Sequence, residues 1–542
     1  MRFHSPTLFA ILALAVPVLP ARAADAKPVP TLVVRVNSID GLIADARLLA
    51  DEAGLGEEAK GAEGILRQFI GPQGLEGFDT KKPFALYGRL APKIEESDIV
   101  VMVPVADEKK VMDLLRRQEV KAEKDENDVY KVDVPGLPFG KQASVYFRFA
   151  NGYAYVSPRE PKMLAKERLL APAAVLPGQT SMLEVVLDLD HIPDSFKDMI
   201  ISQASLRLSE AKGEKRPDEP ESLYKFRVAA IDELAGQIKA VVNEGKDLML
   251  KVGVDKETAE LVASLRFTPK PGTKLADGIA DLGKGESLLA NLTGPDSALN
   301  GRLFLTMPQA LLRPYNAFLD DAFKMGTAAA PNEDARKLHE QVFKAIGPTL
   351  RAGVLDEGIS LRGPSAKGLY TAVGGLAVKD GEEIDKVLHA VHPALPGPVQ
   401  ALIKLDAEKG SGVNIHRIST PEDKEKIDPN FKRIFGDGPV YLAVRKDALL
   451  LAAGEHALEA MKDVLGRGPK AGRVINVEAS VARLVPLSGK EDAVAVAKKV
   501  FGKKPDDDRV RLTLEGGKAL ELRLSVKPKL LELVFRLEQS RK

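Results

Sequence analysis

The chain has 542 residues, 44% apolar and 5% aromatic, with 78 Lys+Arg against 77 Asp+Glu and neither Cys nor Trp. Interspersed charge near neutrality gives no long-range field for nucleic acid or anionic lipid, and so few aromatics make a poor stacking platform for bases. Without cysteine there is no disulfide framework, thiolate metal site, Cys nucleophile or lipid-modified Cys.

The first 23 residues read as a cleavable signal peptide. A basic start, Met1-Arg2, precedes the apolar run Thr7–Leu19 and then Ala21-Arg22-Ala23, the three parts of a secretory signal. The run is shorter than the roughly 20 apolar residues a spanning helix needs, so cleavage near Ala23 is expected to release a soluble exported chain without stable membrane insertion. Periplasmic and extracellular destinations both fit.

Further along, Phe84–Leu90 and Asp98–Val105 read as strands, followed by a helix from Asp107 with Val111, Leu114 and Leu115 on one face. Shifted by 273 positions, Val378, Asp380, Ile384, Val387 and Leu388 take the places of Val105, Asp107, Val111, Leu114 and Leu115, with Glu383 three residues after the cap. Val145–Phe149 turns at Asn151-Gly152 into Tyr153–Val156, because both turn residues tolerate positive φ. Its counterpart, 295 positions on, is Val440–Val444 turning near Lys446-Asp447 into Ala448–Leu451. Helices are expected near Pro161–Leu169 and Glu455–Leu465. Strand-to-helix steps follow at Leu183–Leu189 and Val474–Ala479, with Asp190 and Ser480 as N-caps. A third hairpin pairs Leu265–Pro271 with Leu522–Pro528, an offset of 257, with turns at Lys256-Glu257 and Gly516-Gly517. Long helices near Leu223–Val242, Met307–Lys324 and Glu333–Ile346 stand outside this pattern.

The order hairpin, hairpin, strand–helix, hairpin therefore runs through a first half, 24–285, and again through a second, 286–542. The expected class is α+β: repeated β-hairpin–helix units in two related halves, forming largely antiparallel sheets covered by helices. Some strands alternate and others, such as Ile99–Val105, run continuously apolar; antiparallel sheets covered by helices on one face would account for both.

Gly77–Gly88 (GFDTKKPFALYG) and Tyr146–Tyr155 (YFRFANGYAY) resemble segments of uncharacterised exported proteins of planctomycete-type bacteria. The resemblance covers about the first third of the mature chain and implies export; it carries no activity.

The polar candidates are weak one by one. Asp188, Asp190 and His191 form the best metal-like group, but no further ligand can be named and a cap explains Asp190. His389 and His392, with Asp385 one turn earlier, end a helix that Pro393 stops, where imidazolium is favourable without a metal. Gly278–Gly285 mimics a phosphate loop, yet it ends a helix and has Gly285 where a hydroxyl should hold Mg²⁺. Ser222-Leu-Tyr-Lys225 fits S-x-x-K without its companion motifs. Asp506-Asp507-Asp508 lacks the Gly and Glu of a calcium loop and reads as a solvated turn. No catalytic, cofactor or metal residue is assigned.

The expectation is a non-enzymatic binding or structural protein of the cell envelope with a protein partner. The alternative is a hydrolase or other enzyme with an unrecognised site in a cleft between the halves. Convergent Asp, His or Arg in a deep pocket would favour the enzyme, and a wide, apolar or edge-exposed groove would favour binding.

Overall fold

The computed structural model describes residues 29–61, 75–93, 96–134, 143–158, 160–178, 181–287, 289–292, 297–421, 423, 427–502 and 507–540. The expected signal peptide lies outside them. The chain divides into two compact units, Met1–Ser202 with Val241–Lys270, and Gln203–Ala240 with Pro271–Lys542.

The first unit opens with β1 (Leu32–Val36) and α1 (Ile39–Ala53). The Ser38 side chain caps α1 by accepting the Gly41 N–H, and Gly54, at φ +79°, ends it. There follow β2 (Phe84–Arg89), β3 (Asp98–Pro104) and α2 (Glu108–Arg117), capped by Asp107 through the Lys110 N–H. Then come β4 (Ala122–Lys124), β5 (Tyr130–Val134), β6 (Ala143–Ala150), β7 (Tyr153–Ser157) and β8 (Leu183–Asp188). Two long helices, α3 (Asp194–Lys212) and α4 (Glu221–Glu244), carry the chain into the second unit over Gln203–Ala240, and it returns to the first with β9 (Gly245–Asp255) and β10 (Glu260–Pro269).

The order across the sheet is β4-β5-β6-β7-β3-β2-β1-β8-β9-β10, every neighbour antiparallel. Asn151 and Gly152 turn between β6 and β7 at φ +53° and +75°, the left-handed conformation that the Asn-Gly pair provides. One face packs Val33, Tyr87, Met102 and Tyr155 with Leu164 and Val175. On the other, Val101, Phe147 and Val156 meet Val111 and Leu115 of α2. Strand β3 is thus buried on both faces, which is why its sequence does not alternate. The helix expected over Pro161–Leu169 is only a 3₁₀ turn, Pro161–Leu164. The buried Arg148 donates to the Leu164 carbonyl, and Leu164 and Leu169 fill the core without a continuous helix.

The second unit contains α5 (Lys274–Leu282), β11 (Glu286–Ser287), β12 (Ser297–Thr306), α6 (Gln309–Ala328), α7 (Glu333–Arg351), β13 (Val354–Arg362) and β14 (Thr371–Ala377). Next are α8 (Gly381–Val391), capped by Asp380 through the Glu383 N–H, β15 (Ile403–Gly410), β16 (Val413–Ile418), β17 (Val440–Arg445), β18 (Ala448–Gly454) and α9 (Ala457–Leu465). The chain ends through β19 (Lys470–Ala471), β20 (Ile475–Ser480), α10 (Glu491–Phe501), β21 (Arg509–Glu515), β22 (Leu520–Val526) and α11 (Lys529–Gln539).

Its main sheet runs β15-β16-β17-β18-β14-β13-β12-β20-β21-β22, again antiparallel throughout, and β11 pairs separately with β19. Strand for strand this is the order of the first sheet. Registers agree too: Val101 faces Val156 and Leu86 in the first unit, and Gly374 faces Leu451 and Ile359 in the second. Antiparallel sheets with helices on their faces make the fold α+β.

The faces of the second sheet differ sharply. Val373, Ala443, Leu450 and Ala452 pack beneath Met461, Val464 and Leu465 of α9. Further along that face lies a buried polar patch, where Ser360 Oγ donates to Asn300 Oδ1 (2.9 Å) and Ser287 Oγ to Asp356 Oδ1 (2.7 Å). The opposite face is apolar from β18 to β22.

Candidate functional site

A group of four titratable side chains, Asp385, His389, Asp406 and His416, lies where α8 covers the β15–β16 hairpin. Pairing between these strands slips between Lys404 and Glu408, so two extra residues of β15 bulge from the ladder. Within the bulge Asp406 adopts φ +50°, a left-handed conformation that Asp tolerates better than most residues. The bulge aims Asp406 at two imidazoles.

His389, in the last turn of α8, has Nδ1 2.9 Å from the Asp385 carbonyl oxygen and Nε2 2.9 Å from Asp406 Oδ2. His416, on β16 and 1% exposed, accepts the Asp406 backbone N–H at Nδ1 (3.1 Å). Its Nε2 lies 2.9 Å from Asp385 Oδ1. The rings stand edge to face with centroids 5.6 Å apart.

These partners dictate the protons. A carbonyl and a carboxylate oxygen can only accept, so His389 makes both hydrogen bonds only as an imidazolium. The hydrogen bond to the Asp385 backbone carbonyl and that to the Asp406 carboxylate raise its pKa above the ordinary 6.5. His416 accepts at Nδ1 and is therefore the neutral Nε2–H tautomer, donating to Asp385. All four imidazole nitrogens are committed to protein partners. Neither ring offers a lone pair to a substrate proton, and the donors alternate in hydrogen-bonded pairs rather than converging on one point. Among the described residues no group of three or more His, Asp or Glu side chains is arranged to hold a metal ion.

His389 and Asp385 were visible as a helical pair in the sequence; Asp406 and His416 were not. They arrive from a hairpin 17 and 27 positions beyond His389, and nothing local sets His416 apart in a strand that also carries Asn414 and Arg417. His392 does not join them. Its Nε2 is 2.9 Å from the Ile403 carbonyl oxygen, so it ties the end of α8 to the start of β15.

The remaining candidates resolve into local structure. Asp188 Oδ1 accepts the N–H groups of Asp190 (3.0 Å) and His191 (3.2 Å), and its Oδ2 meets His191 Nδ1 at 2.9 Å. Asp190 is not the N-cap expected of it, since α3 starts at Asp194; it pairs with Lys270 at 2.7 Å, which lowers its pKa. Ser480 does cap, accepting the Arg483 N–H. Gly283 closes α5, and Lys284 pairs with Asp281 at 2.8 Å, so Gly278–Gly285 presents a helix C-terminus. Ser222 is buried at the start of α4, while Lys225 is exposed beside Glu221. Asp506 lies outside the described residues. Asp508 is fully buried, not solvated: it accepts from Ser480 Oγ and from the Ala482 N–H (2.8 Å), reinforcing the same cap.

The other feature of functional size is the apolar face. Direct cross-strand partners form the row Leu442, Leu451, Gly374, Ile359, Gly301, Val477, Leu512, Leu524. On this face of β12–β14, β18 and β20–β22, Glu357 is the one charged residue. Leu451 is 47% exposed, Ile359 44% and Leu524 38%, and Leu305 and Leu522 are exposed on the same side. The row continues through Leu442 to His416, over which α8 lies.

No family model matches the chain, and neither a curated protein nor a solved structure is similar to it. No helix among the described residues is long and apolar enough to cross a membrane.

Proposed function

We propose that the chain is an exported, non-enzymatic binding protein of the cell envelope, assembled from two related ten-stranded units, and that it holds a protein partner on the apolar face of its second sheet. The observation that carries this reading is the exposed apolar row through Leu451, Ile359 and Leu524. Single exposed apolar side chains are ordinary on protein surfaces; a contiguous face of them marks an interaction site.

Its extent points to a protein. Seven neighbouring strands at about 4.8 Å spacing span roughly 30 Å; even with Val510 and Val526 at one end packed under α10 and α11, the row has the scale of a protein interface and is wider than a small-molecule pocket. A hydrolase gains no support from the His–Asp group, whose imidazole nitrogens are all engaged. Matched strand order and register support descent of both units from one ancestral unit. The resemblance to exported proteins of planctomycete-type bacteria supports the destination.

A photo-crosslinking residue placed at Leu451 in the exporting cell tests the reading, with the exposed turn position Lys446 as control. A discrete protein adduct from 451, absent from 446 and removed by Ile359→Asp, is expected. Equal labelling from both positions, or adducts to lipid alone, would reject it.

A further inference from the structure

We propose that His389, Asp406, His416 and Asp385 form an acid-stabilised latch, which pins α8 over one end of the apolar face and loosens as pH rises. The proposal stands on hydrogen-bond geometry and does not depend on the binding reading.

His389 joins α8 to the bulge of β15 through the contact between Nε2 and Asp406 Oδ2. His416 joins β16 to α8 through Asp385 and holds the Asp406 backbone in place. The two links differ in chemistry. His416 already makes both of its hydrogen bonds as a neutral ring, so it needs no added proton. His389 makes both of its own only as a cation. Deprotonation leaves it one N–H for two acceptors, and the ion pair with Asp406 goes with the proton.

Charged groups around His389 sit on each neighbouring element. On α8, Asp385 lies 3.8 Å from Nδ1, and Glu383 pairs with Lys386 and with Lys344 of α7. On β15, Asp406 faces Nε2 and Glu408 pairs with Lys462 of α9; Lys404 and Lys409 are the cations of that strand. On β16 are His416 and the exposed Arg417, on β17 Arg445 pairs with Asp447, and beyond α8 stands His392. The charges acting directly on His389 are the two aspartates, both favouring the cation.

The sign follows from linkage. A raised folded pKa adds stability that is fully present below the unfolded value of 6.5 and is lost as pH climbs through the folded value. In the first unit Tyr130 stands where His416 stands in the second, facing Phe147 as His416 faces Leu442, and Met112 takes the place of Asp385. Unit one buries apolar side chains under α2, so α2 is expected to lack this dependence.

Hydrogen exchange of the full chain at several pH values, corrected for intrinsic rates, tests the latch. Protection of 381–391 and 403–418 should fall roughly two- to fivefold from pH 6 to pH 9, the range for a partly exposed ion pair. Protection of 108–117 should stay constant. His389→Gln and Asp406→Asn should each remove the pH dependence, while His392→Gln should keep it. The latch is overturned if protection of α8 is independent of pH in the wild type, or if the dependence survives in either His389→Gln or Asp406→Asn. Should one of these variants fail to fold, the other decides.

Discussion

His416 and Asp406 fix one another. The ring Nδ1 accepts the Asp406 backbone N–H at 3.1 Å, and that hydrogen bond holds Asp406 in its left-handed bulge. With 1% exposure, His416 cannot exchange these partners for water. His416→Ala would leave the Asp406 N–H and the Asp385 carboxylate without their partner and open a cavity beneath α8. We expect a loss of about 2–4 kcal/mol, read by urea denaturation. A loss below about 1 kcal/mol would mean that α8 is held by its apolar contacts alone.

A second buried pair is predicted to matter more. The Arg302 side chain is only 4% exposed, and its Nε lies 3.6 Å from Asp356 Oδ1. Burial pulls the Arg302 pKa down while Asp356 opposes the shift. Asp356→Ala strands this cation and also removes the acceptor of Ser287, so the expected cost is about 3–5 kcal/mol. Denaturant melts of D356A and of the double variant D356A/R302M check it. The double variant should be the more stable of the two, because no uncompensated charge remains.

Gly381, the first residue of α8, abuts the turn between β17 and β18. Its N–H donates to the Lys446 carbonyl, and an added Cβ would fall 1.7 Å from the Arg445 backbone oxygen. Backbone cannot yield as a flexible side chain can. Gly381→Ala is therefore expected to cost about 1–3 kcal/mol, with a fall in melting temperature as the measurement.

Glu219, between α3 and α4, receives a fork from Arg227: Nε to Oε1 at 2.9 Å and Nη2 to Oε2 at 2.8 Å. These hydrogen bonds push its pKa down to about 2 from 4.5. A depressed folded value gives stability that is present above 4.5 and lost as pH falls from there towards 2. Melting temperatures between pH 6 and pH 2 should drop less steeply in Glu219→Gln than in the wild type. Parallel curves would show that the fork contributes nothing.

What the sequence disclosed and what it hid follow from distance along the chain. Asp107, Asp380 and Ser480 were legible as caps because a cap bonds within three residues, and Asn151-Gly152 because a tight turn is decided by its own φ angles. Strand β3 was legible because apolar residues run through it. Asp190 misled, since Asp188, two residues earlier, makes the local hydrogen bonds. Asp508 looked solvated in a run of three acids, and its burial against Ser480 is a contact across 28 positions. The meeting of His389 with Asp406 depends on a bulge that no periodicity announces. The apolar face was hidden for another reason: strand alternation shows that one side is apolar but not whether anything covers it.

The most direct test of the binding account is titration with 1-anilinonaphthalene-8-sulfonate, a probe of exposed apolar surface, of the wild type and of the double variant Leu451→Asp/Ile359→Asp. Both positions are well exposed, so stability should change by no more than about 1 kcal/mol. The account predicts saturable probe fluorescence with the wild type at neutral pH and at least a fivefold loss in the folded double variant. Equal fluorescence from the two proteins, or none from either, would contradict it.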